Sequence, residues 1–104
     1  MKQQRFSGTG VALITPFRNG KVDFEALERV IEHVIGGGVD FLVSLGTTGE
    51  AITLSDRESR EVLDFTLRIN NGRLPIVAGL FGDNHTARLV EMISQFNLEG
   101  FDAV

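Results

Sequence analysis

The residues with the clearest chemical potential are Gly46-Thr47-Thr48-Gly49-Glu50, which directly follow the apolar run Phe41-Leu42-Val43-Ser44-Leu45. Two adjacent hydroxyl side chains lie between glycines, and glycine allows the backbone to approach a ligand closely and to adopt positive φ. Hydroxyls beside backbone N–H groups can together hold a carboxylate or a phosphate. Because α/β proteins place ligand sites at the carboxyl ends of their strands, this segment predicts a small-anion site there.

Two phosphate-binding patterns are missing from the chain, which narrows the kind of anion. A dinucleotide fold carries Gly-x-Gly-x-x-Gly after its first strand, whereas residues 15–20 read Thr-Pro-Phe-Arg-Asn-Gly. A phosphate-binding loop of the Walker type needs lysine where this chain has Glu50. We therefore expect a small carboxylate, rather than a nucleotide, at Thr47 and Thr48.

The composition is that of a globular protein, with 42% hydrophobic and 23% charged residues. The net charge of −4 and the pI near 5.0 provide no basic patch, so nucleic acid is not expected as a partner. Cysteine is absent, which excludes disulfides and thiolate metal sites and is consistent with the cytoplasm. No signal peptide or membrane-length apolar run is found. We expect no membrane association, no metal and no cofactor.

The alternation of apolar segments predicts an α/β protein with the order β-α-β-α-β-α-β, repeating roughly every 30 residues as in right-handed crossover units. Strands are expected near residues 11–15, 41–45, 75–79 and 101–104, and helices near 23–35, 55–70 and 84–97. This pattern fits either the first part of an eight-fold βα barrel or an open doubly wound sheet. The strand that begins at Phe101 is expected to be cut at Val104, which would leave the sheet incomplete in this chain.

Local signals place the ends of the helices. Asp23 is expected to cap the first helix, and Ser55 to open the second in a capping box with Glu58. Asn19-Gly20 predicts a turn, and one glycine of residues 36–38 is expected to be left-handed where the first helix ends. Each helix is therefore predicted from both its apolar period and its termini.

The periodic apolar residues of each helix are expected to face the core. They are Phe24, Leu27, Val30, Ile31, Val34 and Ile35 in the first helix, Val62, Leu63, Leu67 and Ile69 in the second, and Leu89, Val90, Met92, Ile93 and Phe96 in the third. Ser44 either faces the barrel centre or is a small polar residue within a packed layer. Asp40 and Asp102 recur in equivalent helix-to-strand connections and are expected to accept hydrogen bonds from backbone amides.

Three motifs in succession resemble one enzyme family. Residues 12–17 (Ala-Leu-Ile-Thr-Pro-Phe), 44–50 (Ser-Leu-Gly-Thr-Thr-Gly-Glu) and 74–79 (Leu-Pro-Ile-Val-Ala-Gly) follow one another as in the dihydrodipicolinate synthase/N-acetylneuraminate lyase family of pyruvate-dependent class I aldolases. The resemblance covers essentially the whole chain and corresponds to roughly the first third of such a barrel, which needs about 250 residues or more. Thr47 resembles the dihydrodipicolinate synthases more closely, because sialic acid lyases tend to carry serine there.

The resemblance implies a (β/α)8 TIM barrel of which this chain is the N-terminal portion, with three and a half βα units. It implies that a lysine on a later strand forms a Schiff base with pyruvate, and that the resulting enamine attacks an aldehyde, here aspartate semialdehyde. Carried over by position, Thr48 binds the pyruvate carboxylate through its hydroxyl and N–H. Thr47 supplies its N–H to that carboxylate and its hydroxyl to a proton relay with tyrosines. The family also implies a homo-oligomer, usually a tetramer.

Two parts of that chemistry are missing from these 104 residues. The only lysines are Lys2 and Lys21, and neither is predicted at the end of a buried strand, where an amine would be desolvated. Tyrosine is absent altogether. The chain alone is therefore predicted to be inactive. Arg88 stands where lysine-inhibited family members carry an acid, which argues against feedback inhibition by lysine.

Other functions stay open at this point. Within the family, the alternative is an aldolase acting on N-acetylneuraminate or a keto-deoxy sugar acid. Outside enzymes, the alternative is a non-catalytic half-barrel that binds small carboxylates or associates with itself, because an unclosed sheet leaves an edge and an apolar face uncovered.

Single residues also have plainer interpretations. The alternative to ligand binding for Thr47 and Thr48 is a purely structural role, in which their hydroxyls cap backbone groups of a turn that leads into a helix. Glu50 is either an acid–base group or an acceptor for the N–H groups of the turn. His33 and His85 are expected to be surface residues, because a lone histidine is weak evidence for catalysis.

Overall fold

The computed structural model describes residues 6–50, 54–79, 86–95 and 98–104. In chain order these residues form β1 (Gly10–Ala12), β2 (Phe17–Arg18), β3 (Lys21–Val22), α1 (Phe24–Gly36), β4 (Phe41–Ser44), α2 (Asp56–Asn70), β5 (Ile76–Ala78) and α3 (Thr86–Gln95). A 3-10 turn at Thr47–Gly49 follows β4. No helix in the described ranges has the length and apolar character needed to cross a membrane.

The main sheet is parallel, with its strands in the order β1-β4-β5. Val11 lies opposite Leu42, and Leu42 lies opposite Ile76. Ala103 adds a parallel bridge to Val77 on the far side of β5, where the sequence predicts a fourth strand. Each successive βα unit therefore adds its strand on the same side, without the reversal of strand order that defines a doubly wound sheet. This arrangement is that of a partial α/β barrel.

The two faces of the sheet differ in burial. One face packs against α1 and α2 and forms the core, which contains Leu13, Leu27, Ile31, Leu42, Leu45, Val62, Leu63, Ile76 and Ala78. On the opposite face Ala12 and Ile14 are exposed, and Ile14 keeps 50% of its surface. Phe41 covers Gly10 at the amino end of that face, and the ring of Phe6 contacts it edge-on at 5.5 Å. The exposed face is the one that points into the interior of a closed barrel.

The predicted ends of α1 and α2 are confirmed. The carboxylate of Asp23 accepts a hydrogen bond from the Ala26 N–H at 3.0 Å, and Ser55 and Glu58 form the expected capping box. Gly38 is left-handed after α1, with φ 84°. Asn71 is left-handed after α2, with φ 48°. The predicted apolar faces of α1 and α2 also pack against the core.

Tertiary context changes several of the expected elements. The first strand ends at Ala12 rather than residue 15, although the Leu13 N–H still donates to the Val43 carbonyl at 2.9 Å. The sequence also missed the antiparallel pair β2–β3, whose turn is the predicted Asn19-Gly20. Two-residue strands carry no readable alternation of apolar and polar residues, which explains the omission.

The predicted buried face of α3 is wrong at two positions. Val90 is 61% exposed and Ile93 is 36% exposed. Their apolar spacing predicts a covered face, but no described element covers them. Residues 84, 85, 96 and 97, where the prediction placed the ends of this helix, lie outside the described residues.

Candidate functional site

Residues 46–49, called the threonine turn from here on, lie directly beyond the carboxyl end of β4. The Gly49 N–H donates to the Gly46 carbonyl at 3.0 Å, which closes one tight turn around Thr47 and Thr48. The N–H groups of these two residues precede that bond and so have no acceptor within the turn. The side chain of Thr48 is exposed, whereas the side chain of Thr47 lies outside what the structure describes. The turn thus presents Thr48 to solvent at the strand end where the sequence predicts an anion site.

The backbone strain of this segment is at Leu45 rather than at the glycines. Leu45 has φ 59°, in the left-handed region that non-glycine residues seldom adopt, and its side chain is 1% exposed. Glu50 has φ 61°, whereas Gly46 and Gly49 do not have positive φ. The expectation that the glycines supply the unusual backbone angles is therefore wrong. Such strain persists only where surrounding packing enforces it, and it is concentrated at functional sites.

The glycines instead permit close contact with the neighbouring strands. A Cβ on Gly49 would lie 2.9 Å from the Leu13 carbonyl oxygen. A Cβ on Gly79, just after β5, would lie 3.1 Å from the Gly46 Cα. The approach at Gly49 is closer than a side chain allows, so glycine is needed there. The approach at Gly79 is tight enough that a side chain would require its neighbours to shift.

Thr15 is the site-supporting residue that sequence reasoning missed. Its side chain is 4% exposed, and its hydroxyl donates to the Gly49 carbonyl at 2.6 Å. From the sequence, Thr15 is predicted only to end the first strand and to belong to the motif of residues 12–17. A polar residue in the alternating buried series Val11, Leu13, Thr15 was the available signal, because a buried hydroxyl needs a partner.

Ser44 faces the helices and not the barrel centre. It is 1% exposed, and its hydroxyl donates to the Thr66 hydroxyl of α2 at 3.5 Å. The Thr66 hydroxyl in turn donates to the Val62 carbonyl at 2.8 Å. Of the two interpretations left open, the polar layer residue is the correct one.

The remaining candidates are placed as follows. His33 is exposed on α1, as predicted for a surface residue, whereas His85 lies outside the described residues. Glu50 has an exposed side chain, and its role as acid–base group or acceptor stays a prediction. In the described ranges no three His, Asp or Glu side chains cluster in a way that could hold a metal ion.

A cleft of about 560 Å³ is lined by Phe24 of α1 and by Glu61, Asp64, Phe65 and Arg68 of α2. The rings of Phe24 and Phe65 are 5.0 Å apart, and the Arg68 guanidinium lies 5.2 Å from the Phe65 ring centre.

A parallel βα sheet with a tight hydroxyl-bearing turn at its carboxyl edge defines a protein of the α/β-barrel class. Residues 5–104 match the model of the Dihydrodipicolinate synthetase family, and the chain belongs to that family. It is 48% identical over 102 residues to the 4-hydroxy-tetrahydrodipicolinate synthase of Flavobacterium psychrophilum, which covers 97% of this chain and 34% of the relative. The chain thus spans about one third of the length of this relative.

Solved structures agree with the family. The crystal structure of dihydrodipicolinate synthase from Aquifex aeolicus superposes with a TM-score of 0.84 at 40% identity, covering 94% of this chain and 33% of that one. The enzyme from Acinetobacter baumannii, crystallised in complex with pyruvate, gives a TM-score of 0.77 at 41% identity over 84% of this chain and 30% of that one. In these neighbours, the part that matches this chain is the N-terminal part of the barrel.

Proposed function

We propose that Thr47 and Thr48 form the binding site for the pyruvate carboxylate in a Schiff-base lyase. This lyase condenses pyruvate with L-aspartate semialdehyde in lysine (diaminopimelate) biosynthesis. The observation that carries this proposal is the turn after β4, where Thr47 and Thr48 present N–H groups without acceptors in the turn and the Thr48 side chain is exposed. The pyruvate bound in the Acinetobacter baumannii relative supports the choice of ligand. The names of the relatives support the choice of reaction.

In this proposal Thr48 binds the pyruvate carboxylate through its hydroxyl and its N–H, and Thr47 adds a second N–H. Hydrogen bonds to a carboxylate are charge-assisted and stronger than neutral ones, so a compact turn is enough to orient the keto acid. A fixed carboxylate holds the keto carbon in the geometry that amine attack requires. The Thr47 hydroxyl takes part in a proton relay with tyrosines supplied by a longer polypeptide.

The covalent step needs an amine, and Lys21 is the only lysine in the part of the chain that the structure describes. Lys21 lies in β3 and is exposed, so it is not the buried lysine at a strand end that a Schiff-base site requires. Lys2 lies outside the described residues. We therefore propose that the Schiff-base lysine belongs to the full-length protein and that this chain alone is inactive. We also propose a cytoplasmic homo-oligomer that needs no cofactor.

The test uses the full-length protein that contains these residues. Incubation with labelled pyruvate and borohydride is expected to label one lysine, and the chain of 104 residues is expected to remain unlabelled. Aspartate semialdehyde is expected to be consumed, and N-acetylneuraminate is not. Turnover of N-acetylneuraminate or a keto-deoxy sugar acid instead would assign the chain to another aldolase of the family.

The role of Thr48 is tested by a matched pair of variants. Thr48→Val removes the hydroxyl and keeps the shape, and it is expected to raise the KM for pyruvate about tenfold or more, because a hydrogen bond to a charged group contributes about 1.5–3 kcal/mol. Thr48→Ser keeps the hydroxyl and is expected to bind pyruvate nearly as well as the wild type. Equal KM values in all three proteins would contradict the carboxylate role.

A further inference from the structure

We propose that Thr15 is a positioning residue for the threonine turn: its buried hydroxyl fixes the direction in which Thr47 and Thr48 present their N–H groups. This inference rests on the proposed function and adds a residue that acts on pyruvate binding from outside the ligand's reach. It begins from the 2.6 Å hydrogen bond between the Thr15 hydroxyl and the Gly49 carbonyl.

The bond joins two segments that the sheet itself does not join at this level. The pairing of β1 with β4 ends at Ala12 and Val43, and one further backbone bond runs from Leu13 to Val43. Beyond that point the chain of β4 leaves the sheet at the left-handed Leu45. The hydrogen bond from the Thr15 side chain therefore replaces backbone pairing at this level of the sheet, and it holds the turn against the end of β1.

Both hydrogen-bonding groups of Gly49 are used. Its N–H donates to the Gly46 carbonyl at 3.0 Å, and its carbonyl accepts from Thr15 at 2.6 Å. Gly49 is buried, so a carbonyl without a donor would be costly there. Because the carbonyl of Gly49 is held in place, the turn that its N–H closes is held in place as well.

The opposite side of the turn is also fixed. The Gly79 N–H donates to the Ser44 carbonyl at 2.7 Å, and the Gly79 backbone lies against Gly46. The turn is thus held between the ends of β1 and β5, and Thr15 is the side chain that supplies the hydrogen bond on the β1 side. Its β-branch restricts χ1, which keeps the hydroxyl aimed at Gly49.

A positioning role has a distinct kinetic signature. Loss of the Thr15 hydroxyl is expected to weaken carboxylate binding, since the N–H groups of the turn would no longer be held in one direction. The chemistry at the Schiff-base lysine would be unchanged once pyruvate is bound. The KM for pyruvate should therefore rise while kcat stays nearly constant.

The experiment compares Thr15→Val and Thr15→Ser in the full-length protein. Thr15→Val keeps the shape without the donor and is expected to raise the pyruvate KM about tenfold, the loss typical of one hydrogen bond, with kcat within about twofold. Thr15→Ser keeps the donor and is expected to stay within about threefold of the wild type. If Thr15→Val does not fold, Thr15→Ala replaces it, because it also lacks the donor and is expected to raise the pyruvate KM in the same way.

Ser44→Ala is the matched control. It removes a buried hydroxyl that belongs to the neighbouring strand β4, and this hydroxyl faces α2 instead of the turn. It is expected to alter stability without altering the KM for pyruvate. A fall in kcat at constant KM in Thr15→Val, or equal impairment of Thr15→Ser and Thr15→Val, would overturn the proposal.

A second measurement does not depend on any reaction. Amide hydrogen exchange at Gly49, whose N–H closes the turn, is expected to accelerate about tenfold in Thr15→Val, and to remain near the wild-type rate in Thr15→Ser. If the protein proves not to use pyruvate, this exchange difference still supports the positioning role, and only the proposed function fails. Unchanged exchange in Thr15→Val would overturn the positioning role even in an active synthase.

Discussion

Asp40 and Thr9 exchange two hydrogen bonds where β4 begins beside β1. The Thr9 N–H donates to the Asp40 carboxylate at 2.7 Å, and the Asp40 N–H donates to the Thr9 carbonyl at 2.8 Å. Asp102 and Ile76 repeat the arrangement, with both bonds at 2.9 Å. The prediction that these aspartates accept from backbone amides is confirmed. The two bonds together set the register of a strand against the preceding one.

The first prediction concerns this aspartate contact. Asp40→Ala is expected to lower the free energy of unfolding by about 1 kcal/mol, the typical net contribution of a hydrogen bond, since the site is exposed. Gly8→Ala is expected to have a similar effect, because its new methyl group would collide with the Asp40 carboxylate and Gly8 has φ 93°. Urea unfolding of the single and double variants measures both effects.

The double variant separates the carboxylate contact from backbone strain. Because Gly8→Ala and Asp40→Ala disturb the same contact, their combined effect is expected to be smaller than the sum. Gly20→Ala is the control, since Gly20 has φ 78° but open space around it. The loss of unfolding free energy caused by Gly20→Ala should add fully to the loss caused by Asp40→Ala. Full additivity of Gly8→Ala as well would contradict the shared contact.

The second prediction concerns the glycines that flank the threonine turn. Gly49→Ala and Gly79→Ala are each expected to destabilise the protein by about 1–3 kcal/mol, as overpacking does, because the added methyl groups meet backbone atoms at 2.9 Å and 3.1 Å. Both should also weaken pyruvate binding in the full-length protein, measured by calorimetry.

Gly36→Ala provides the comparison for these variants. Gly36 ends α1 with open space around its Cα, so alanine is expected to be neutral or to stabilise by up to about 1 kcal/mol. Pyruvate affinity should not change. A loss of affinity in Gly36→Ala equal to that in Gly49→Ala would show that any glycine substitution disturbs the site.

The third prediction is a pH dependence that arises in the capping box of α2. The Ser55 N–H donates to the Glu58 carboxylate at 2.9 Å, and this bond, followed by the Ser55 hydroxyl, lowers the pKa of Glu58. A lowered folded-state pKa gives stability that is present above the unfolded pKa of about 4.3 and is lost as the pH falls through the folded pKa. The stability difference between wild type and Glu58→Gln should therefore shrink on acidification.

Urea unfolding from about pH 7 to about pH 3 measures this dependence, with circular dichroism as the signal. Ser55→Ala removes the side chain that caps Glu58, and it is expected to cost about 1 kcal/mol at neutral pH, as the loss of a helix cap usually does. Parallel pH profiles for wild type and Glu58→Gln would rule out Glu58 as the source.

The fourth prediction concerns Arg73, which joins α1 to the end of α2. Its guanidinium makes two hydrogen bonds with the Glu32 carboxylate, at 3.0 and 2.6 Å, and lowers the pKa of Glu32. It also donates to the carbonyls of Ile69 at 2.8 Å and Asn70 at 3.2 Å. Arg73→Gln is therefore expected to lower the thermal midpoint more than Glu32→Gln does.

Salt distinguishes the two contributions of Arg73. The effect of Glu32→Gln should fall at about 1 M NaCl, because exposed ion pairs are screened. The additional effect of Arg73→Gln should persist, since the bonds to carbonyls at the helix end do not depend on an ion pair. Equal midpoints for the two variants at both salt concentrations would contradict the helix-end role.

The features that sequence reasoning predicted are those fixed by neighbouring residues. Asp23 and Ser55 act within three residues of themselves, so their caps could be predicted from the spacing alone. The motif around Thr47 and Thr48 predicts the candidate site, and the role of these two residues in binding pyruvate stays a prediction. Local chemistry was sufficient at the two helix caps.

The features that were missed depend on contacts between distant segments. Thr15 meets Gly49 across 34 positions, and no local pattern encodes that bond. Leu45 adopts a left-handed backbone because its side chain is buried, against its own conformational preference. Val90 and Ile93 show the converse, since an apolar period does not reveal whether a neighbour covers it. Tertiary packing decided each of these cases.

The unusual backbone of Leu45 couples the threonine turn to the interior of the protein. Its conformation is maintained by the fit of a side chain that is 1% exposed, so a cavity made nearby would release the residue towards a relaxed angle. Linkage makes this relation reciprocal, because a ligand that binds only the folded turn stabilises the fold that shapes it. Occupancy of the turn by a carboxylate should therefore make the whole protein more resistant to heat.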